Sequence, residues 1–238
     1  MIKPSDLLLG ISLGLIAGYV DTAGFVALFG LFTAHVTGNF VLIGTEIARP
    51  SGAHVLLLKF LAIPAFAAGV VLARLFDVRC AHRGTNPARP LLLMELLLLV
   101  GFMLAGLVAG PVMDAQAPLV LICGMLGAAG MGVHNAAGKL QFARIAPTTV
   151  MTGNVTQLLV DMTDIVTGHA NDAVRARFVK FLWPVLAFAV GCIAGGTAYV
   201  WFGFWCMLPM LLLLAWLAVL DWPLPAPAPA AGPVAKPA

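Results

Sequence analysis

The chain has 238 residues, of which 61% are hydrophobic and 10% charged, with a mean hydropathy of +1.02 and a formal net charge of +3. So little polar surface cannot cover a water-soluble globule, which leaves an integral membrane protein. The small charge carries no nucleic-acid signature, and Cys80, Cys123, Cys192 and Cys206 form no C-x-x-C pair, so neither a disulfide framework nor a zinc site is expected.

A membrane helix needs about 20 apolar residues to cross the hydrocarbon. Six runs meet that length, at roughly 7–30, 54–76, 91–111, 117–138, 178–202 and 204–222. The first follows a short Lys3/Asp6 segment and lacks the brief apolar core and cleavage site of a signal peptide, so it is expected to stay as a transmembrane helix. Two shorter pieces, 37–48 and 152–166, each open on the same tripeptide, Thr37-Gly38-Asn39 and Thr152-Gly153-Asn154. As helices they rise only about 18–22 Å, which fits half-helices or re-entrant segments.

The two parts of the chain echo one another beyond that tripeptide. Glu46 follows Asn39 by seven residues and Asp161 follows Asn154 by seven, while Phe66-x-x-Gly69-x-x-x-Ala73 resembles Phe188-x-x-Gly191-x-x-x-Gly195. Such an internal repeat is a signature of duplicated transporter-like folds. If the short pieces do not span, each half holds three helices, and the second half is inverted relative to the first. With a cytoplasmic N-terminus, eleven Lys and Arg residues then fall inside and two, Arg49 and Lys59, outside; if both short pieces span, the split is six against seven. The positive-inside rule favours the first arrangement. The expected fold is therefore an all-α membrane protein with six transmembrane helices as an inverted 3+3 repeat, each half with a half-helix starting at T-G-N. The first repeat covers 1–115, the second 116–222, and a Pro/Ala-rich tail at 223–238 is expected to be disordered. Both termini are expected in the cytoplasm of a bacterial inner membrane.

A helix that begins inside a bilayer points its positive end and several free N–H groups into the protein interior. Thr37 or Thr152 is expected to cap the first amides, Gly38 or Gly153 to admit a close approach, and Asn39 or Asn154 to offer both donor and acceptor. Two such ends related by an inverted repeat suit a small anion, a carboxylate or a carbonyl-bearing solute. Gln157 and Asn135 complete the expected solute-binding set. Glu46 and Asp161, about two turns from their asparagines, place a carboxylate on each helix face and are candidate proton carriers, or else headgroup contacts at the far helix ends. Asp21 lies in the middle of the first span and is a sharper candidate. The corresponding place in the second half holds His134-Asn135, so Asp21 and His134 are expected to form a proton-linked pair across the axis. His35 has no counterpart in the second half. Gly10, Gly14 and Gly18 form a small-residue stripe for close helix packing, within one chain or between copies in a homo-oligomer. No nucleophile elbow, phosphate loop, metal motif or cofactor motif appears, and no enzyme is expected.

The segments G-Y-V-D-T-A-G-F and L-F-T-A-H-V-T-G-N, with G-V-H-N-A-A-G-K-L and P-T-T-V-M-T-G-N-V-T in the second half, resemble the YoaK-type family of bacterial inner-membrane proteins, over about residues 8 to 220. The resemblance implies a polytopic membrane protein of a family without an established biochemical activity. The expected function therefore comes from the residues themselves: a secondary transporter of a small polar or anionic solute, proton-coupled, with a non-transporting accessory or lipid-binding module as the alternative.

Overall fold

In hydrocarbon every backbone N–H and C=O must be bonded within its own segment, so leucine-rich runs of this length fold as helices. The computed structural model describes residues 5–50, 55–110 and 114–220, and its regular elements are all helical. They are α1 (Asp6–Ala27), α2 (Val36–Ala48), α3 (Leu56–His82), α4 (Ala88–Ala109), α5 (Pro118–Leu140), α6 (Met151–Val166), α7 (Asp172–Phe202), a 3-10 turn (Gly203–Met207) and α8 (Leu208–Val219). The ends follow from local chemistry. Ser5 accepts from the Leu8 amide at 3.1 Å and Asn171 from the Val174 amide at 3.0 Å, with Asp6 and Asp172 in the first turns. The helices α4 and α7 stop at Gly110 and Gly203, whose φ of 69° and 54° suits glycine.

Five helical stretches are long and apolar enough to cross a membrane: α1, α3, α4, α5 and the 48-residue run from Asp172 to Val219. The protein is thus a multi-pass, all-helical membrane protein. The sequence leads one to expect six separate spans, with a break near residue 203. Near that break α7 passes through the 3-10 turn into α8, whose 12 residues are fewer than a full span needs. The tail at 223–238 lies outside the described residues.

Two crossings organise the interior, and both are built from the same parts. Between α1 and α7, Gly18 lies on the Phe188 carbonyl and Gly191 on the Leu15 carbonyl, each so close that an added Cβ would strike the oxygen. Between α5 and α3, Gly132 lies on the Phe66 carbonyl and Gly69 on the Ala129 carbonyl in the same way. Contacts farther along give the directions: Gly14 meets Pro184 and Gly195 meets Tyr19, while Gly124 meets Leu58 and Gln141 bonds Asp77, so α1 runs parallel to α7, and α3 parallel to α5. Glycine is required here because backbone meets backbone. Helix α4 packs antiparallel on α5, with Leu99 against Gly130 and Phe102 against Gly127.

One end of the bundle collects the charges. Asp6 at the start of α1 pairs with Arg144 just beyond α5, and Asp77 near the end of α3 accepts from Gln141 at 2.6 Å. The beginning of α1 thus sits beside the ends of α3 and α5, while α2 packs on α3 and α6 on α7 along one face each, with most of both short helices exposed.

Candidate functional site

Each short helix begins one residue before its T-G-N. The N-caps are His35 and Val150, neither of which makes a side-chain capping bond, and Thr37 and Thr152 are already the second helical residues. This corrects the expected capping role of the threonines: a cap must stand outside the helix to reach back to its amides, and these two are inside it. Both starts therefore keep amides that no side chain caps. Thr37 and Thr152 are exposed and, with Ala34, His35, Phe66, Asn135, Thr149 and Val150, line one cavity of about 400 Å³. The two copies of the motif thus open on the same space. A second cavity of about 380 Å³ shares Asn135, Thr149 and Val150 as a common wall and continues to Lys139 and Lys180.

The asparagines serve the loops rather than the cavity. Asn39 Nδ2 donates to the Phe32 carbonyl at 2.8 Å and its Oδ1 accepts from the Phe32 amide at 3.0 Å, with no exposed surface. Asn154 Nδ2 likewise donates to the carbonyl of Pro147, but proline has no N–H, so the return bond is missing. Gly38 admits the Phe32 ring, whereas a Cβ on Gly153 would meet only the Val150 side chain, at ordinary contact distance.

Beneath the first helix start lies Asp21. Its Oδ1 accepts from the Thr33 amide at 2.7 Å, the Thr33 hydroxyl at 3.2 Å and the Ala34 amide at 2.6 Å, and its Oδ2 lies 2.7 Å from His35 Nδ1. The His35 ring packs edge-on against Phe32 and Phe188, at centroid distances of 6.2 and 5.5 Å. The matching loop of the second half is held by other chemistry. His134 Nε2 lies 2.9 Å from the Thr148 hydroxyl, Thr149 donates to Asn135 Oδ1, and His134 Nδ1 lies 2.8 Å from Glu95 Oε1. The expected Asp21–His134 pair is therefore not formed. Asp21 is taken up by the loop that follows it in its own half, and His134 by Thr148 of its own half and by Glu95 of the other.

Glu95 was not apparent from the sequence, because it sits inside the leucine run of α4. It is fully buried, and its Oε2 has no protein partner. Such an atom costs about 1–3 kcal/mol. A looser criterion than the one that singled out Asp21, any carboxylate inside an apolar run, would have found Glu95, the fifth residue of the run at 91–111. Thr33, Thr148 and Thr149 were missed because their role depends on contacts with α1 and α5.

Glu46 and Asp161 do not reach the cavity. Glu46 faces the charge of Lys59 on α3, and Asp161 accepts from Arg177 Nε at 3.0 and 3.2 Å and from Arg177 Nη2 at 2.6 Å. Gln157 adds a bond to Asp161 at 2.8 Å and is thereby occupied outside the cavity. The bonds from Arg177 hold the Asp161 carboxyl below the usual carboxylate range, against the opposing effect of burial. In both halves the far end of the short helix is thus held by charge to the helix that follows. Of the two roles expected for Glu46 and Asp161, that of proton carriers beside the solute is corrected accordingly: both sit about 10 Å from the asparagines and turn toward α3 and α7.

Among known proteins, the chain is similar to the UPF0700 transmembrane protein YoaK of Bacillus subtilis (strain 168), at 32% identity over 149 residues. That match covers 62% of this chain and 63% of the relative, so the chain spans less than two thirds of that protein's length. No solved structure matches. Residues 9–220, which hold both T-G-N loops and all the groups that tie them down, match the family described as a protein of unknown function (DUF1275), and the chain belongs to it.

Proposed function

We propose that the protein is a secondary transporter of a small polar or anionic solute, which binds where the two short helices begin. The supporting observation is that two helix starts, neither capped by a side chain, line one cavity inside a membrane protein. Free amides at the positive end of a helix attract anionic or carbonyl oxygen. Lys139 and Lys180 on the adjoining cavity give an anion a favourable approach from the charged end of the bundle. On this reading the halves 1–115 and 116–222 are inverted repeats, with α8 completing a sixth crossing and both termini on the cytoplasmic side of a bacterial inner membrane. The two glycine-on-carbonyl crossings support it, since each joins the first long helix of one half to the third helix of the other. Alternating access would come from one half rocking against the other about the cavity.

A second reading is a non-transporting membrane module. It is favoured by Asn39 and Asn154, whose amides are bonded to their own loops and not offered to a solute. Uptake separates the two. Proteoliposomes carrying the wild-type chain should accumulate a labelled member of a panel of small carboxylates and inorganic anions, and Thr37→Val and Thr152→Val should each reduce the rate while the protein still inserts. If no member is taken up, the module is the better reading.

A further inference from the structure

The trio Glu95, His134 and Thr148 is buried, joined by two successive hydrogen bonds, and has no part in binding the proposed solute. Glu95 Oε1 is 2.8 Å from His134 Nδ1, and His134 Nε2 is 2.9 Å from Thr148 Oγ1. The three residues are 0%, 2% and 5% exposed, and Thr148 alone reaches a cavity, the one that leads to Lys139 and Lys180. The remaining carboxylate oxygen, Glu95 Oε2, is the buried side-chain polar atom without a protein partner among the described residues. A carboxylate held in an apolar helix by one hydrogen bond, on an imidazole that touches a hydroxyl at the cavity wall, is placed to take up and release a proton.

We infer that Glu95, His134 and Thr148 form a proton-binding relay, with Glu95 as the store and Thr148 as its contact with the cavity. The two states balance. In the first, Glu95 is a carboxylate accepting from His134 Nδ1–H, and Nε2 accepts from the Thr148 hydroxyl. A proton arriving at Thr148 from the cavity lets the hydroxyl pass its own proton to Nε2, while Nδ1–H passes to Glu95 Oε1. In the second state Glu95 is a neutral acid donating to Nδ1, and Nε2–H donates to Thr148. The imidazole is neutral in both, and both hydrogen bonds survive with their directions reversed. The charged groups on the surrounding elements are engaged elsewhere. Asp77 of α3 is held by Arg74 and Gln141, and Lys59 of α3 faces Glu46. Asp21 of α1 is held by Thr33, Ala34 and His35, and Arg144 beyond α5 pairs with Asp6. On α5, Lys139 borders the cavity, and Arg89 stands in the first turn of α4.

The relay also adjoins the proposed solute site. Asn135 follows His134, Thr149 follows Thr148, and both second members line the shared wall of the two cavities. Coupling of the proton to the solute rests on the transport reading, whereas proton binding by the trio does not.

The chain contains two glutamates, Glu46 and Glu95, so infrared spectroscopy of glutamate-labelled protein nearly assigns the group by itself. The protein purified in lipid is expected to show the C=O band of a neutral carboxyl that shifts with carbon-13 glutamate, persists in Glu46→Gln and disappears in Glu95→Gln. In Thr148→Val the band should remain, and its exchange in heavy water should slow by about a hundredfold. Absence of a glutamate-derived neutral carboxyl at every pH at which the protein stays folded would overturn the store, and this arm needs no variant to fold. An unchanged exchange rate in Thr148→Val would overturn the route. If the band behaves as expected but no solute is taken up, the transport reading falls and the proton site stands.

Discussion

At the residue scale, the two asparagines of the repeated tripeptide carry the same role at different strength. Asn39 exchanges two hydrogen bonds with Phe32, whereas Asn154 can only donate, because position 147 is proline. Each such bond contributes about 1 kcal/mol net. Asn39→Ala is therefore expected to destabilise the protein by about 2 kcal/mol and Asn154→Ala by about 1 kcal/mol. Denaturant titration in detergent checks the difference, and equal losses would mean that the amides do something other than close the loops. A second residue-scale prediction concerns Asp161. Its carboxyl lies below the usual range in the folded protein, so the stability it contributes is present above the unfolded carboxylate pKa, about 4, and is lost as pH falls through the folded value. The melting temperature of Asp161→Asn should thus lie below wild type near neutral pH, with the gap narrowing in acid.

The element scale is governed by where helices may touch. Gly132 of α5 and Gly18 of α1 sit on carbonyl oxygens of the partner helix, so Gly132→Val or Gly18→Val must push whole helices apart. Overpacking of this kind costs about 1–3 kcal/mol, more where backbone is struck. Gly44 of α2 has nothing within 4 Å of an added Cβ, and there Gly→Ala should stabilise the short helix by about 1 kcal/mol. Thermal unfolding of the three variants tests the contrast. At this scale the sequence is highly legible. The F-x-x-G echo marked both crossings, and helix starts fell within a few residues of their expected positions apart from that of α7. What stayed hidden was pairing. Nothing in periodicity says that Asp21 turns to its own loop or that His134 meets Glu95, because those partners are 12 to 39 residues apart and are set by how helices stack. The break between α7 and α8 was visible as Gly203, but its outcome, a 3-10 turn rather than a loop, was not.

For the whole molecule, the central claim is that both short helices present their starts to one solute. A ligand that binds only the folded state stabilises it, by about 2.7 kcal/mol at a hundredfold excess over Kd. For a chain of this size that corresponds to a rise of roughly 5–10 °C. The most direct measurement is the melting temperature of the purified protein against small carboxylates and inorganic anions, for wild type, Thr37→Val and Thr152→Val. The expected result is that at least one anion raises the melting temperature of the wild type and that the rise shrinks in both variants, since each removes a hydroxyl from the same cavity. A rise that persists undiminished in either variant, or no rise with any member of the panel, would contradict a shared site.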